Sequence, residues 1–122
     1  MINPTQLPPL ALAFIGDTVF DLLVREALLD GPARPQRQLH KESAVRVNAR
    51  AQAELAKKIL PLLGGEEAEI FRRGQNAQPG HVPRGFTRGE YALATALEAL
   101  FGWLWLCGRL ERARELFDYI FS

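Results

Sequence analysis

The chain of 122 residues carries 15 basic and 14 acidic side chains, a formal charge of +1, with 48% hydrophobic and 24% charged residues, an ordinary globular composition that names no partner. This length suits a single domain over 1–122, whose one core can bury roughly 65% of the surface of the unfolded chain, and the lone cysteine, Cys107, excludes a disulfide-scaffold fold. Met1–Pro4 has no basic start of a signal peptide, and the most apolar window, Ala92–Leu106, contains Glu98 and is too short to cross the ~30 Å core of a bilayer, so a cytoplasmic protein without a membrane partner is expected.

Prolines and glycines divide the chain. Pro8-Pro9 precedes a long apolar segment, Leu10–Leu29, closed by Asp30-Gly31-Pro32, the stop expected past a helix C-terminus. Pro35 to about Lys41 predicts a short helical turn, and Ser43 is placed to cap a helix running to about Leu60, with Ala44, Val47, Ala51, Leu55 and Ile59 as its apolar stripe and Arg46, Arg50 and Lys57 on another. After Gly64-Gly65, Glu66–Gly74 reads as a short helix with acids at its start and bases at its end, the order that complements the helix dipole. Gln75–Gly89, rich in glycine and punctuated by Arg84 and Arg88, reads as a basic loop. Helical patterns resume over Glu90–Leu106, stop at Gly108, and return from Leu110 to Phe121. No segment alternates with the period of a strand, and the predicted fold is all-α.

The charge is unevenly distributed. Met1–Ala33 has one basic and four acidic residues, Arg34–Arg88 has eleven and five, and Gly89–Ser122 has three and five, so the middle segment is basic between two acidic ends. Such a stretch is either a solvated surface or a phosphate-binding one.

Two acids stand out. Asp17 falls among Leu10, Ala13, Phe14, Phe20, Val24 and Leu28, and Glu98 among Ala94, Thr95, Phe101, Gly102 and Trp105, with no base one helical turn away from either. An unpaired buried carboxylate costs several kcal/mol, so each needs a partner, a proton or a metal. They either pair with arginines distant in sequence, or together hold a hard divalent ion such as Mg²⁺ or Mn²⁺, which prefers oxygen ligands. Nothing suggests zinc: His40, His81 and Cys107 lack ligand spacing. Cys107 reads as packing, at least one of Trp103 and Trp105 as core or interface, and Gly64-Gly65 lacks the residues of a phosphate loop.

Leu12-Ala13-Phe14-Ile15-Gly16-Asp17-Thr18-Val19-Phe20 resembles the signature helix of the ribonuclease III catalytic domain, and Thr95-Ala96-Leu97-Glu98-Ala99-Leu100-Phe101-Gly102 resembles that family's second catalytic segment. Leu10 and Ala13 stand where the larger enzymes carry two further glutamates, and Thr95 where they carry an aspartate. These departures, together with Leu39-His40-Lys41-Glu42-Ser43 and Arg73-Gly74-Gln75-Asn76-Ala77, are similar to a short branch of the family made of the catalytic domain alone, without a double-stranded-RNA-binding domain.

The resemblance implies a ribonuclease III-like helical bundle that forms a homodimer, receives double-stranded RNA in a shared valley, and hydrolyses phosphodiester bonds with Mg²⁺ (Mn²⁺ a possible substitute) to leave 5′-phosphate ends. For the short branch it implies maturation of 23S ribosomal RNA precursors in ribosome biogenesis, with possible ribosomal-protein assistance. By position, Asp17 and Glu98 take the catalytic, metal-ligand roles and Phe14 a place at the dimer interface. Lys41, Arg46, Arg50, Arg72, Arg73, Asn76, Arg84 and Arg88 are the candidates for RNA contact, where shape dominates over base identity. The missing acids keep a non-catalytic RNA-binding homologue open as an alternative, and a plain helical interaction module, its two acids internally paired, is a third reading.

Overall fold

The computed structural model describes residues 2–77 and 80–121; Gln78 and Pro79, within the stretch expected to be a loop, lie outside the described residues, as do Met1 and Ser122. The helices are α1 (Pro9–Leu29), α2 (Gln36–Arg46), α3 (Ala49–Ile59), α4 (Gly65–Gln75), α5 (Arg88–Leu106) and α6 (Leu110–Ile120), with 3₁₀ turns at Pro4–Gln6 and Leu60–Leu62 and no strand among the described residues. The all-α expectation holds.

Helix ends follow from local chemistry. Pro8 caps α1 with Pro9 at its first position, where the missing N–H is harmless. α5 starts two residues earlier than expected because Thr87 and Glu90 form a capping box: the Thr87 hydroxyl accepts from the Glu90 N–H at 3.0 Å, and the Glu90 carboxylate accepts from the Thr87 N–H at 2.9 Å. α5 ends where Gly108 turns to φ +73°, with the Arg109 N–H donating to the Leu104 carbonyl at 2.8 Å.

The middle of the chain differs from the sequence reading. Ser43 is no N-cap; it sits buried inside α2, its hydroxyl donating to the His40 carbonyl at 3.0 Å. The break comes at Val47-Asn48 instead, and Asn48 serves both helices. Its amide donates to the Ala44 and Val45 carbonyls at the end of α2, and its Oδ1 accepts from the Ala51 N–H at the start of α3. The buried stripe of α3 is accordingly Gln52, Ala53, Ala56 and Ile59, while Ala44 is exposed and Ala51 and Leu55 are half-buried.

α5 is the central helix, buried at ten positions from Ala94 to Leu104, and α1, α3, α4 and α6 pack around it. Phe20 of α1 meets Phe101 of α5 edge-on at 5.5 Å between ring centroids and Phe117 of α6 at 6.0 Å, geometries favoured by ring quadrupoles. Trp103 is the core tryptophan, its indole N–H donating to the Thr5 hydroxyl at 3.1 Å; Trp105 is partly exposed. Cys107 is half-buried, and desolvation raises its thiol pKa, the reverse of an activated nucleophile.

Candidate active site

Two glycines bring α1 and α5 together backbone to backbone. A Cβ on Gly16 would lie 1.6 Å from the carbonyl oxygen of Glu98, and one on Gly102 would lie 2.0 Å from that of Leu12. No other residue fits either place, and the crossing sets Asp17, next to Gly16, against Glu98.

The two acids are not equivalent. Asp17 is exposed, together with Leu10 and Phe14 on the same side of α1, while the core face of that helix runs through Leu12, Gly16, Val19, Phe20, Leu23 and Val24. The expected apolar face around Asp17 is therefore partly a free surface. Glu98 is deeper. Its pKa rises to about 8, first because burial penalises the charged form, then because of the Asp17 charge and a hydrogen bond shared with Asp17; a hydrogen bond from Gln52 works against the rise. The alternative of arginine partners fails for Glu98, whose surroundings supply an amide and a second acid instead of a base.

Both acids line an open cleft of about 530 Å³. Leu10, Ala13 and Thr95 line it too, so the five positions that the family resemblance aligned from two distant segments converge on one wall. The Thr95 hydroxyl donates to the Tyr91 carbonyl at 2.9 Å, and is engaged within its own helix. Among the described residues no group of three or more His, Cys, Asp or Glu side chains could hold a metal; two carboxylates are an oxygen donor set that suits a largely hydrated Mg²⁺ or Mn²⁺. Gly80, His81 and Pro83 from the loop before α5 and Tyr91 of α5 also line the cleft.

Sequence reasoning missed His81, Tyr91 and Gln52 as cleft neighbours. Only Gln52 had a readable signal, a polar residue one position from the stripe assigned to α3.

The basic candidates divide into two sets. Arg73 donates to the Thr5 and Leu7 carbonyls, tying down the N-terminal segment, Arg72 pairs with Glu69 at its own helix end, and Arg46 donates to the Glu42 carbonyl. Arg50 holds the loop before α5: it pairs with Glu90 at 3.1 Å, donates to the Gly85 carbonyl at 2.7 Å and lies 5.5 Å from the Phe86 ring centre. Asn76 is the exposed C-cap of α4. Lys41, Arg84 and Arg88 are exposed and have no side-chain partner among the described residues.

The family model of the ribonuclease III domain matches residues 10–109 of this all-helical chain, a span that includes both acids and the two glycines of the crossing. The chain belongs to the ribonuclease III family and is an endoribonuclease. It is similar to the Mini-ribonuclease 3 of a Thermoanaerobacter species, 43% identical over 93% of this chain and 80% of the relative, and to that of Symbiobacterium thermophilum, 39% identical over 95% and 89%. A Synechococcus Mini-ribonuclease 3 is 49% identical over 84% of this chain and 72% of its own length. The fold also matches an X-ray crystal structure of a Fusobacterium nucleatum protein with a TM-score of 0.85 and 32% identity, covering 95% of this chain and 93% of that one. The short branch expected from the sequence is thus the one these relatives represent.

Proposed function

We propose that the chain is a Mg²⁺-dependent endoribonuclease that cuts double-stranded RNA, with Asp17 and Glu98 as its metal-holding pair. One observation carries this: two carboxylates meet at a backbone-tight crossing, where the buried Glu98 has Asp17 and the Gln52 amide beside it and no base as a counter-charge. The ribonuclease III family uses a divalent metal and acts on double-stranded RNA, and the oxygen-only donor set fits such an ion. A bound ion supplies positive charge to the scissile phosphate and acidity to the attacking water. Asp17 and Glu98 would hold such an ion in their charged forms, so its binding would compete with protonation of Glu98. Of the candidates, Lys41, Arg84 and Arg88 are free to take RNA phosphates, and Arg50 keeps the loop that carries Arg84 and leads into Arg88 against α3 and α5. Arg46, Arg72, Arg73 and Asn76 serve the fold first and add to the positive potential along the same stretch.

The biological substrate that fits the Mini-ribonuclease 3 relatives is the 23S ribosomal RNA precursor. A homodimer is supported by Phe14, 82% exposed beside the half-exposed Leu10 at the lip of the cleft: an aromatic ring left in water next to a site is a feature of interfaces.

Digestion of a duplex RNA stem with Mg²⁺ tests the assignment. Asp17→Asn and Glu98→Gln are each expected to slow cutting by roughly a thousandfold or more, while duplex binding in Ca²⁺ stays within about threefold of wild type. Cutting at the wild-type rate by either variant removes that residue from the site, and binding without cutting by the wild type under any divalent ion would favour the non-catalytic reading. Sedimentation of Phe14→Ala, expected as a monomer, tests the dimer; an unchanged dimer removes Phe14 from the interface.

A further inference from the structure

We propose that Gln52 is a positioning residue that holds the Glu98 carboxylate in place for the ion. The inference rests on the reading of Asp17 and Glu98 as the metal-holding pair.

Three polar residues are buried among the described ones: Ser43, Gln52 and Thr95. The two hydroxyls are satisfied locally, each donating to a carbonyl in the preceding turn of its own helix. Gln52, only 4% exposed, is different. Its amide reaches out of α3 and donates from Nε2 to Oε2 of Glu98 at 3.4 Å, 46 residues along the chain. A buried amide without a partner costs roughly 1–3 kcal/mol, and its neighbours on the stripe, Ala53, Ala56 and Ile59, are apolar. Packing alone would be served better by a methionine or leucine, so the amide has a use, and the group it meets is the acid of the site.

The chemistry explains why that use calls for an amide. A lysine or arginine in the same position would neutralise Glu98 and repel an incoming cation. A neutral donor fixes one carboxylate oxygen and leaves both negative charges to the ion. The bond is longer than the usual ~2.9 Å, and catalytic hydrogen bonds commonly tighten only in the loaded site. Outer partners of metal ligands set ligand orientation in this way, and their loss typically lowers metal affinity or activity 10- to 100-fold.

The test compares full-length Gln52→Met, which keeps the size and loses the donor, with Gln52→Asn, which keeps an amide but leaves a gap. Mn²⁺ binding is measured by calorimetry, duplex cleavage as kcat and KM, and stability by thermal unfolding without metal. Gln52→Met is expected to fold, with Mn²⁺ affinity and kcat each down roughly 10- to 100-fold and KM for RNA within about threefold of wild type. Gln52→Asn is expected to be the less stable of the two and yet to bind Mn²⁺ more tightly. A packing role requires the opposite: binding that follows stability. That result, a Gln52→Met protein that cannot fold, or one that binds Mn²⁺ and cuts like wild type overturns the proposal. A wild type that neither binds Mn²⁺ nor cuts RNA overturns instead the site reading beneath it.

Discussion

The crossing of α1 and α5 and the basic stretch from α2 to the loop before α5 treat charge in opposite ways. At the crossing, like charges are forced together: Asp17 and Glu98 meet because Gly16 and Gly102 let two backbones touch, and burial together with the resulting conflict raises the pKa of Glu98. Along the basic stretch, opposite charges and carbonyls find one another, and Arg46, Arg50, Arg72 and Arg73 are engaged within the chain. Unfavourable electrostatics held by tight packing mark a site, whereas an exposed ion pair mostly marks a surface and contributes little stability. The sum of charges along a segment therefore overstates what is free to bind a phosphate, and a neutral total conceals a concentrated acid pair.

The largest effect should come from separating the helices. Gly16→Ala places a methyl where the Glu98 carbonyl already stands, and a loss of roughly 3 kcal/mol or more is expected, read by urea unfolding. Gly64→Ala, where a Cβ meets nothing within 4 Å, should cost less than ~1 kcal/mol. Equal effects at the two glycines would show that the close approach is not what holds the acids together.

Next comes pH. Glu98 ionises near 4.5 in the unfolded chain and near 8 in the fold, so between these values the unfolded chain holds fewer protons and the metal-free fold loses stability as pH rises. Glu98→Gln removes that slope. Its melting temperature relative to wild type should climb by roughly 5 °C or more from pH 4.5 to 8, and Mg²⁺ should restore the wild type at pH 8 while leaving the variant unmoved. A pH-independent difference would show that Glu98 does not carry a raised pKa in the fold.

The smallest effects belong to the basic side. Arg84→Ala and Arg88→Ala should each weaken duplex binding a few-fold and lower the slope of log affinity against log salt by up to about 1; Arg72→Ala, whose guanidinium is engaged by Glu69, should change binding less than twofold. An effect of Arg72→Ala as large as those of Arg84→Ala and Arg88→Ala would erase the distinction between engaged and free bases.

The all-α fold and most helix limits were legible because apolar spacing, prolines and Gly108 act locally. The break at Asn48 was not, since one side chain bonds both to the end of α2 and to the start of α3, a double role that composition does not reveal. Asp17 and Glu98 could be named from motif and pattern, but their inequality depends on which side of α1 is left uncovered. The bases were least legible: Arg73 meets partners 66 and 68 residues away and Arg50 meets its own 35 and 40 away, and no local pattern encodes such pairs. Gln52 lies between these cases, conspicuous on a buried stripe once the register of α3 is known.

The most direct measurement is a crystal of the protein soaked in Mn²⁺, with the ion located by its anomalous scattering. A peak between the Asp17 and Glu98 carboxylates, absent from Glu98→Gln crystals treated alike, is the expected result. Density with no peak there at saturating Mn²⁺, or a peak that persists in Glu98→Gln, would contradict a metal site built on this pair.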